Sequence, residues 1–239
     1  MNSSSASLGR SDFRTLLQGQ ADTLLRWTQP GHLRTTVMNV AVIILGAGFY
    51  GAAMGWWREP WQGFYVAIKF PLVILLTTLG NALLNAMLAP LLGLNISFRQ
   101  SLLAILMSFT ITAAILGAFS PLTAFVVWNA PAMTLDVKST LTYGFIKLMH
   151  VAVIAFAGVA GVVRLYQLLT QLSGSKALAR RVLFAWLVGN LFLGSQLTWI
   201  ARTFIGAPYL PVVFLRDTAF EGNFYENVFQ TLQQFLQPD

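Results

Sequence analysis

The sequence predicts an all-α fold: a polytopic membrane bundle of about five transmembrane helices, with an amphipathic helix at each end. Three observations carry this reading. The chain of 239 residues is 56% hydrophobic but only 10% charged, whereas a soluble domain carries roughly 25% charged residues. Its mean hydropathy is +0.66. Apolar runs of the length that crosses a hydrocarbon core, about 20 residues, recur between Thr36 and Ile200. Such a chain cannot cover itself with polar surface, so lipid is its expected solvent.

The first 33 residues are expected to hold a disordered Ser-rich start and then a cytoplasmic amphipathic helix. Phe13, Leu16, Leu17, Leu24 and Trp27 share one helical face, Ser11 is a candidate N-cap, and Pro30-Gly31 ends the segment. This helix either lies on the membrane surface or packs on the end of the bundle. No cleavable signal peptide is expected there, because no continuous apolar stretch precedes a small-residue cleavage site.

Residues 34–204 are expected to form the spans. The first, near Thr36–Trp57, carries Ala47, Gly51 and Gly55 at four-residue spacing, which permits close helix approach. Trp56, Trp57 and Trp61 mark an interface. The second, near Gln62–Leu92, should be kinked or ended by Pro71 and Pro90. Lys69, close to its start, is read as snorkelling to the headgroups. Asn81 and Asn85, one turn apart, read as hydrogen-bonding groups between helices, with a substrate site as the rival reading.

The third span, Gln100 to about Phe119, should break at Ser120-Pro121, leaving Leu122–Trp128 as a kinked continuation or a re-entrant piece. The fourth, Thr140–Leu168, carries Tyr143, Lys147 and His150 at spacings of four and three, which places them on one face. Ionisable groups at membrane depth are costly and face a protein interior, a cavity or the interface. Ala157, Gly158 and Gly161 read as packing points. The fifth, Val182–Ile200, carries Asn190.

Residues 205–239 form a proline-punctuated tail and a terminal helix. Asn223 and Glu226 have capping-box spacing, and Phe224, Val228, Leu232 and Phe235 line one face. With no Lys or Arg on it, that helix is expected to pack on protein. Arg202, Pro208, Pro211, Phe224, Val228, Leu232 and Phe235 are therefore the candidate partner-docking residues.

Charge sets the expected orientation. With the N-terminus inside, cytoplasmic segments carry Arg10, Arg14, Arg26, Arg34, Arg99, Arg164, Lys176, Arg180 and Arg181. The other side carries Arg58, Lys69, Lys138, Arg202 and Arg216. Nine against five favours a cytoplasmic N-terminus and an outer C-terminus, in what reads as a bacterial inner membrane. The net charge of +7 fits orientation and anionic headgroups. No basic patch with interleaved aromatics suggests nucleic acid.

The five spans with this orientation, and the run Leu-Leu-Gly-Leu-Asn-Ile-Ser-Phe-Arg-Gln-Ser-Leu-Leu from Leu91 followed by an apolar helix to Ser120-Pro121, resemble the Yip1-type membrane family over about residues 80–170. The resemblance implies a non-enzymatic adaptor in membrane trafficking. The tail departs from it: Arg202-Thr-Phe-Ile-Gly-Ala-Pro208 and Glu221-Gly-Asn-Phe-Tyr-Glu226 look more like a group of bacterial polytopic proteins with no assigned activity. No functional residue is carried over.

Catalytic and metal chemistry is poorly supplied. The chain has no cysteine, two histidines and eight carboxylates, and none of the carboxylates sits in the apolar part of a span. No metal-ligand spacing, phosphate loop or nucleophile motif occurs. His150 could ligate a haem axially, but a lone histidine in a packed helix is more often simply hydrogen-bonded; no cofactor is expected. The expected function is a non-enzymatic adaptor or accessory subunit with a membrane-protein partner or a second copy. The alternative is a pore or carrier component for a small solute or anion, using Tyr143, Lys147, His150, Asn81, Asn85 and Asn190.

Overall fold

Six helices and no strand build the described part of the chain, residues 33–134 and 137–236 of a computed structural model. They are α1 (Leu33–Trp56), α2 (Pro60–Leu91), α3 (Phe98–Trp128), α4 (Val137–Ser173), α5 (Lys176–Ile200) and α6 (Phe224–Leu236). The first five are long and apolar enough to cross a membrane, and the protein is an integral membrane protein. The expected amphipathic helix of residues 1–33 falls, except for Leu33, outside the described residues.

Local chemistry explains the helix ends. Pro60 opens α2, where its missing N–H would find no intrahelical acceptor. Gly93, at φ +91°, turns the chain after α2 in a conformation that costs glycine nothing. Ser97 and Gln100 cap α3 reciprocally, the Ser97 side chain accepting from the Gln100 N–H and the Gln100 side chain accepting from the Ser97 N–H. Ser175 accepts the N–H of Leu178 at the start of α5. Neither Pro71 nor Pro90 divides α2.

The third helix differs from expectation. It does not break at Ser120-Pro121 but continues unbroken to Trp128, so Leu122–Trp128 is a continuation and not a re-entrant piece. The reason is local. Pro121 cannot donate to the Gly117 carbonyl, one turn back, and the Ser120 hydroxyl donates to that carbonyl instead, at 2.7 Å.

Small residues set the packing of α1. A Cβ on Gly51 would sit 2.7 Å from the Val66 carbonyl oxygen, and one on Gly55 2.7 Å from that of Gln62, so these two glycines bring α1 against α2. Gly46 does the same for α3, where a Cβ would overlap the Ala113 carbonyl oxygen. On α4, Gly161 packs close to Ser108 and Thr112, whereas Gly158 faces open space. The main core joins α2, α3, α4 and α5 around Trp186, Leu165, Leu169, Ile105 and Ala82.

The segment between α5 and α6 folds back over the Trp57 end of the bundle. Arg58 donates to the carbonyls of Pro208 and Leu210. Buried Gln62 donates to the Thr203 and Phe204 carbonyls. Phe204 meets Phe70 edge-on, with ring centroids 6.0 Å apart, and Phe214 meets Tyr65 at 5.7 Å. This cover changes the reading of Lys69. The residue is only 2% exposed, and its Nζ lies 5.4 Å from the Phe214 ring centroid, a cation–π arrangement in place of the expected snorkel to headgroups.

Candidate functional site

Three groups of polar side chains stand out among the described residues, beside isolated buried ones such as Asn39, and the first surrounds a cavity between α2, α3, α4 and α5. It encloses about 360 Å³, within the usual range of small-molecule sites. Along α2 its lining runs from Phe70 to Asn85, about 22 Å at the rise of a helix. Phe70, Ile74, Leu116 and Ile154 make one apolar end. Asn81, Asn85, Trp186 and Asn190 gather toward the other, with Ser108 and Thr112 on the α3 wall between them.

The hydrogen-bond account of this cavity does not close within the protein. Asn81 Nδ2 donates to Asn190 Oδ1 at 2.7 Å, joining α2 to α5. Thr112 bonds back to the Ser108 carbonyl and across to that of Ala157, both at 3.2 Å. Asn81 Oδ1, both amide atoms of Asn85 and Trp186 Nε1 have no protein partner. All three side chains are at least 98% buried. An unsatisfied buried amide or indole costs roughly 1–3 kcal/mol, and lipid offers no hydrogen bonds in return.

The second group is His150 with Tyr50. The Tyr50 hydroxyl lies 2.9 Å from His150 Nδ1, with the rings edge-on at 5.5 Å. Both residues are buried, α1 supplying one and α4 the other. Thr123 of α3 hydrogen-bonds the same phenol. With the imidazole neutral and the phenol donating to Nδ1, Nε2 carries the ring hydrogen, and it has no partner. His150 is 2% exposed and does not line the cavity, so this fold gives a haem-sized macrocycle no access to its ring.

Tyr143 and Lys147 do not join His150. Tyr143 packs its ring on Trp57, at 5.9 Å, near the Trp57 end. Lys147 is exposed on the outer side of α4, beside Phe145 and Leu148. Of the six residues singled out as a candidate intramembrane polar site, three (Asn81, Asn85 and Asn190) meet at the cavity, and the other three stand apart from it.

The third group holds the tail. Arg202 stacks on Trp199, with Cζ 4.3 Å from the ring centroid. It donates to the carbonyls of Trp199, Thr218 and Ala219 at 3.1, 2.5 and 3.3 Å. Burial, with Arg216 nearby, lowers the pKa of this guanidinium, and Glu221 opposes them; it stays charged at neutral pH. Pro208 lends its carbonyl to Arg58, and Pro211 is exposed. The α6 helix begins with Asn223 Oδ1 accepting the Glu226 N–H at 2.8 Å. It touches α5 through its first turn: Tyr225 stacks on Phe192 at 5.6 Å and donates to the Leu191 carbonyl. Phe224, Val228 and Phe229 are 36%, 48% and 59% exposed. The Leu232 and Phe235 side chains lie outside the described residues.

Sequence reasoning missed Tyr50, Trp186 and Gln62. Each is an ordinary aromatic or amide by type, and each owes its role to a residue far away in sequence. No group of three or more His, Cys, Asp or Glu side chains that could hold a metal occurs among the described residues. No protein-family model, curated protein or solved structure matches the chain.

Proposed function

We propose that this protein is a non-enzymatic adaptor or accessory subunit of a membrane complex, and that α6 and the adjoining face of α5 form its docking surface. One observation carries the reading. The final helix is amphipathic, is held through its first turn among the described side chains, and leaves Phe224, Val228 and Phe229 partly or largely exposed. Such a face is the kind that enters a partner's apolar groove.

The charge around it supports one partner chemistry over the others. After Arg216 the chain carries Asp217, Glu221, Glu226 and Asp239 and no lysine or arginine, which disfavours an anionic lipid surface and suits a basic rim. On the same side of this chain Arg58 and Arg202 are already committed to carbonyls of the tail, which leaves a second copy only Lys138 and Arg216 for such a rim, fewer cations than a dedicated basic groove would offer. The occupant is therefore a different membrane protein with an apolar groove edged by Lys or Arg. The positive-inside count favours the outer face of a bacterial inner membrane for this surface, and the Yip1-type resemblance supports the same non-enzymatic class.

The pore or carrier reading has one observation in its favour, the three asparagines at a common cavity. Against it stands the absence of any carboxylate between Pro60 and Leu135 or between Val137 and Arg216, where a proton or cation relay would need one.

Purification of the tagged chain in mild detergent with native mass spectrometry tests the proposal. The expected result is a stoichiometric foreign membrane protein that is lost on deleting residues 222–239 and retained in Lys147→Met. A homo-oligomer without a partner, whose liposome flux is abolished by Asn85→Leu, would overturn it in favour of a carrier.

A further inference from the structure

We infer that the cavity between α2, α3, α4 and α5 is a binding site for a neutral, linear amphiphile: one long hydrocarbon chain ending in a hydroxyl or carbonyl group. This goes beyond the adaptor reading and rests on none of it.

Shape comes first. About 360 Å³ drawn out along α2 from Phe70 to Asn85, some 22 Å of helix, makes an elongated slot, a shape that an extended chain fills end to end. The polar groups are unevenly placed along this slot: phenylalanine and branched aliphatic side chains alone line the Phe70 end, and the amides and indole stand among Ile105 and Leu165 toward the Asn85 end.

The unpaired atoms then specify the head group. Asn85 Nδ2 and Trp186 Nε1 are donors without acceptors, while Asn85 Oδ1 and Asn81 Oδ1 are acceptors without donors. A hydroxyl satisfies one of each, and a carbonyl takes the two donors. No Lys, Arg, His, Asp or Glu lines the cavity, so an ionised head would enter it unpaired at a large desolvation cost. The ligand is thus uncharged, and the anion considered from the sequence has no cation here to receive it.

Water alone fits the space poorly. Roughly a dozen molecules at ~30 Å³ each would fill it, and most would face apolar walls without the two or more polar partners that hold a buried water. A route from the bilayer exists: Leu191 lines the cavity and is 66% exposed on the outer surface of α5.

Gly158 supplies the test. It lines the cavity, and a Cβ there meets nothing within 4 Å, so the side chain of Gly158→Leu starts in open space and extends into the slot. Gly144 on the same helix is equally open but lies outside the cavity, and Gly144→Leu is the matched control. The full-length protein in phosphatidylcholine vesicles is photolabelled with a long-chain primary alcohol carrying a diazirine, and the labelled peptides are mapped by mass spectrometry. A trimethylammonium amphiphile of equal chain length is run in parallel.

Saturable labelling within 154–162 and 186–191 is expected with the alcohol. It should fall at least tenfold in Gly158→Leu, several-fold in Asn85→Leu, and not at all in Gly144→Leu. Asn85→Leu, which replaces an unpaired amide by a side chain of similar size, keeps the test valid if Gly158→Leu fails to elute as the wild type does. Labelling that does not saturate, or that survives both cavity variants, is annular lipid only and overturns the site. Equal labelling by the trimethylammonium probe overturns the neutral ligand class.

Discussion

Ser120 Oγ donates to the Gly117 carbonyl at 2.7 Å, the acceptor that Pro121 leaves without its backbone donor. This one hydroxyl accounts for a helix that passes through a proline inside a membrane, where a freed carbonyl has no water to turn to. Gly117 stands at the crossing with α1, its missing Cβ only 2.9 Å from Gly46 Cα, so the repaired turn is also a packing point.

Ser120→Ala should therefore cost about 1 kcal/mol, the worth of a hydrogen bond whose loss orphans a half-buried carbonyl, while Ser120→Thr should retain most of it. Thermal unfolding of the purified protein in one detergent reads both. A wild-type melting temperature in Ser120→Ala would mean that the Gly117 carbonyl needs no donor.

How the outline of the fold came to be legible, and this detail not, follows from the range of each interaction. Spans are written into composition over 20 or more neighbouring residues, so all five were readable. A proline reads as a break because its local effect is known, whereas a serine that reverses the effect is visible only with the helix in place. Lys69 read as snorkelling because Phe214, which covers it, lies far along the chain. The Tyr143–Lys147–His150 triplet failed for a geometric reason. At about 100° per residue, Lys147 sits roughly 60° around α4 from His150, enough to cross from the buried face to the exposed one. Asn81, Asn85 and Asn190 were singled out by type, but that two of them bond and the third stays unpaired was not readable from spacing.

Gly46 of α1 and the two open glycines of α4, Gly144 and Gly158, should part company under substitution. Gly46→Ala drives a Cβ into a backbone oxygen of α3, and neither helix can yield without disturbing the other. A loss of more than ~2 kcal/mol is expected, in line with overpacking of a well-filled interior. Gly144→Ala and Gly158→Ala meet open space and should be neutral or stabilising, since alanine is the better helix former by up to ~1 kcal/mol. Monodispersity on size exclusion and the melting temperature of the three variants measure the contrast.

The tail should be loosened by loss of either of two of its clamps, Gln62 or Arg202, with Arg58 still in place. Gln62→Leu removes the donor to the Thr203 and Phe204 carbonyls, and Arg202→Lys replaces a fork reaching three carbonyls with a single ammonium. Each should raise the rate of proteolytic cleavage within 203–222 several-fold without moving the melting of the bundle. Thr203 itself has φ +76°, a strained conformation for a β-branched residue. Thr203→Gly should relieve it and stabilise the tail by about 1 kcal/mol, slowing the same cleavage.

Tyr50 and His150 give the sharpest energetic test, because each is buried and each bonds the other. Tyr50→Phe keeps the ring contact but strips the partner from Nδ1, leaving a buried imidazole with neither nitrogen satisfied. A cost of roughly 1–3 kcal/mol follows from the unpaired polar atom. His150→Leu removes the imidazole and orphans the phenol in turn, although Thr123 still bonds it, so its cost should be the smaller. In the double variant no polar atom of the pair remains, and the loss should fall well short of the sum. The coupling energy from the four unfolding free energies is expected to be at least ~1 kcal/mol. Additive losses would mean that the Tyr50–His150 hydrogen bond contributes nothing beyond the packing of its two rings.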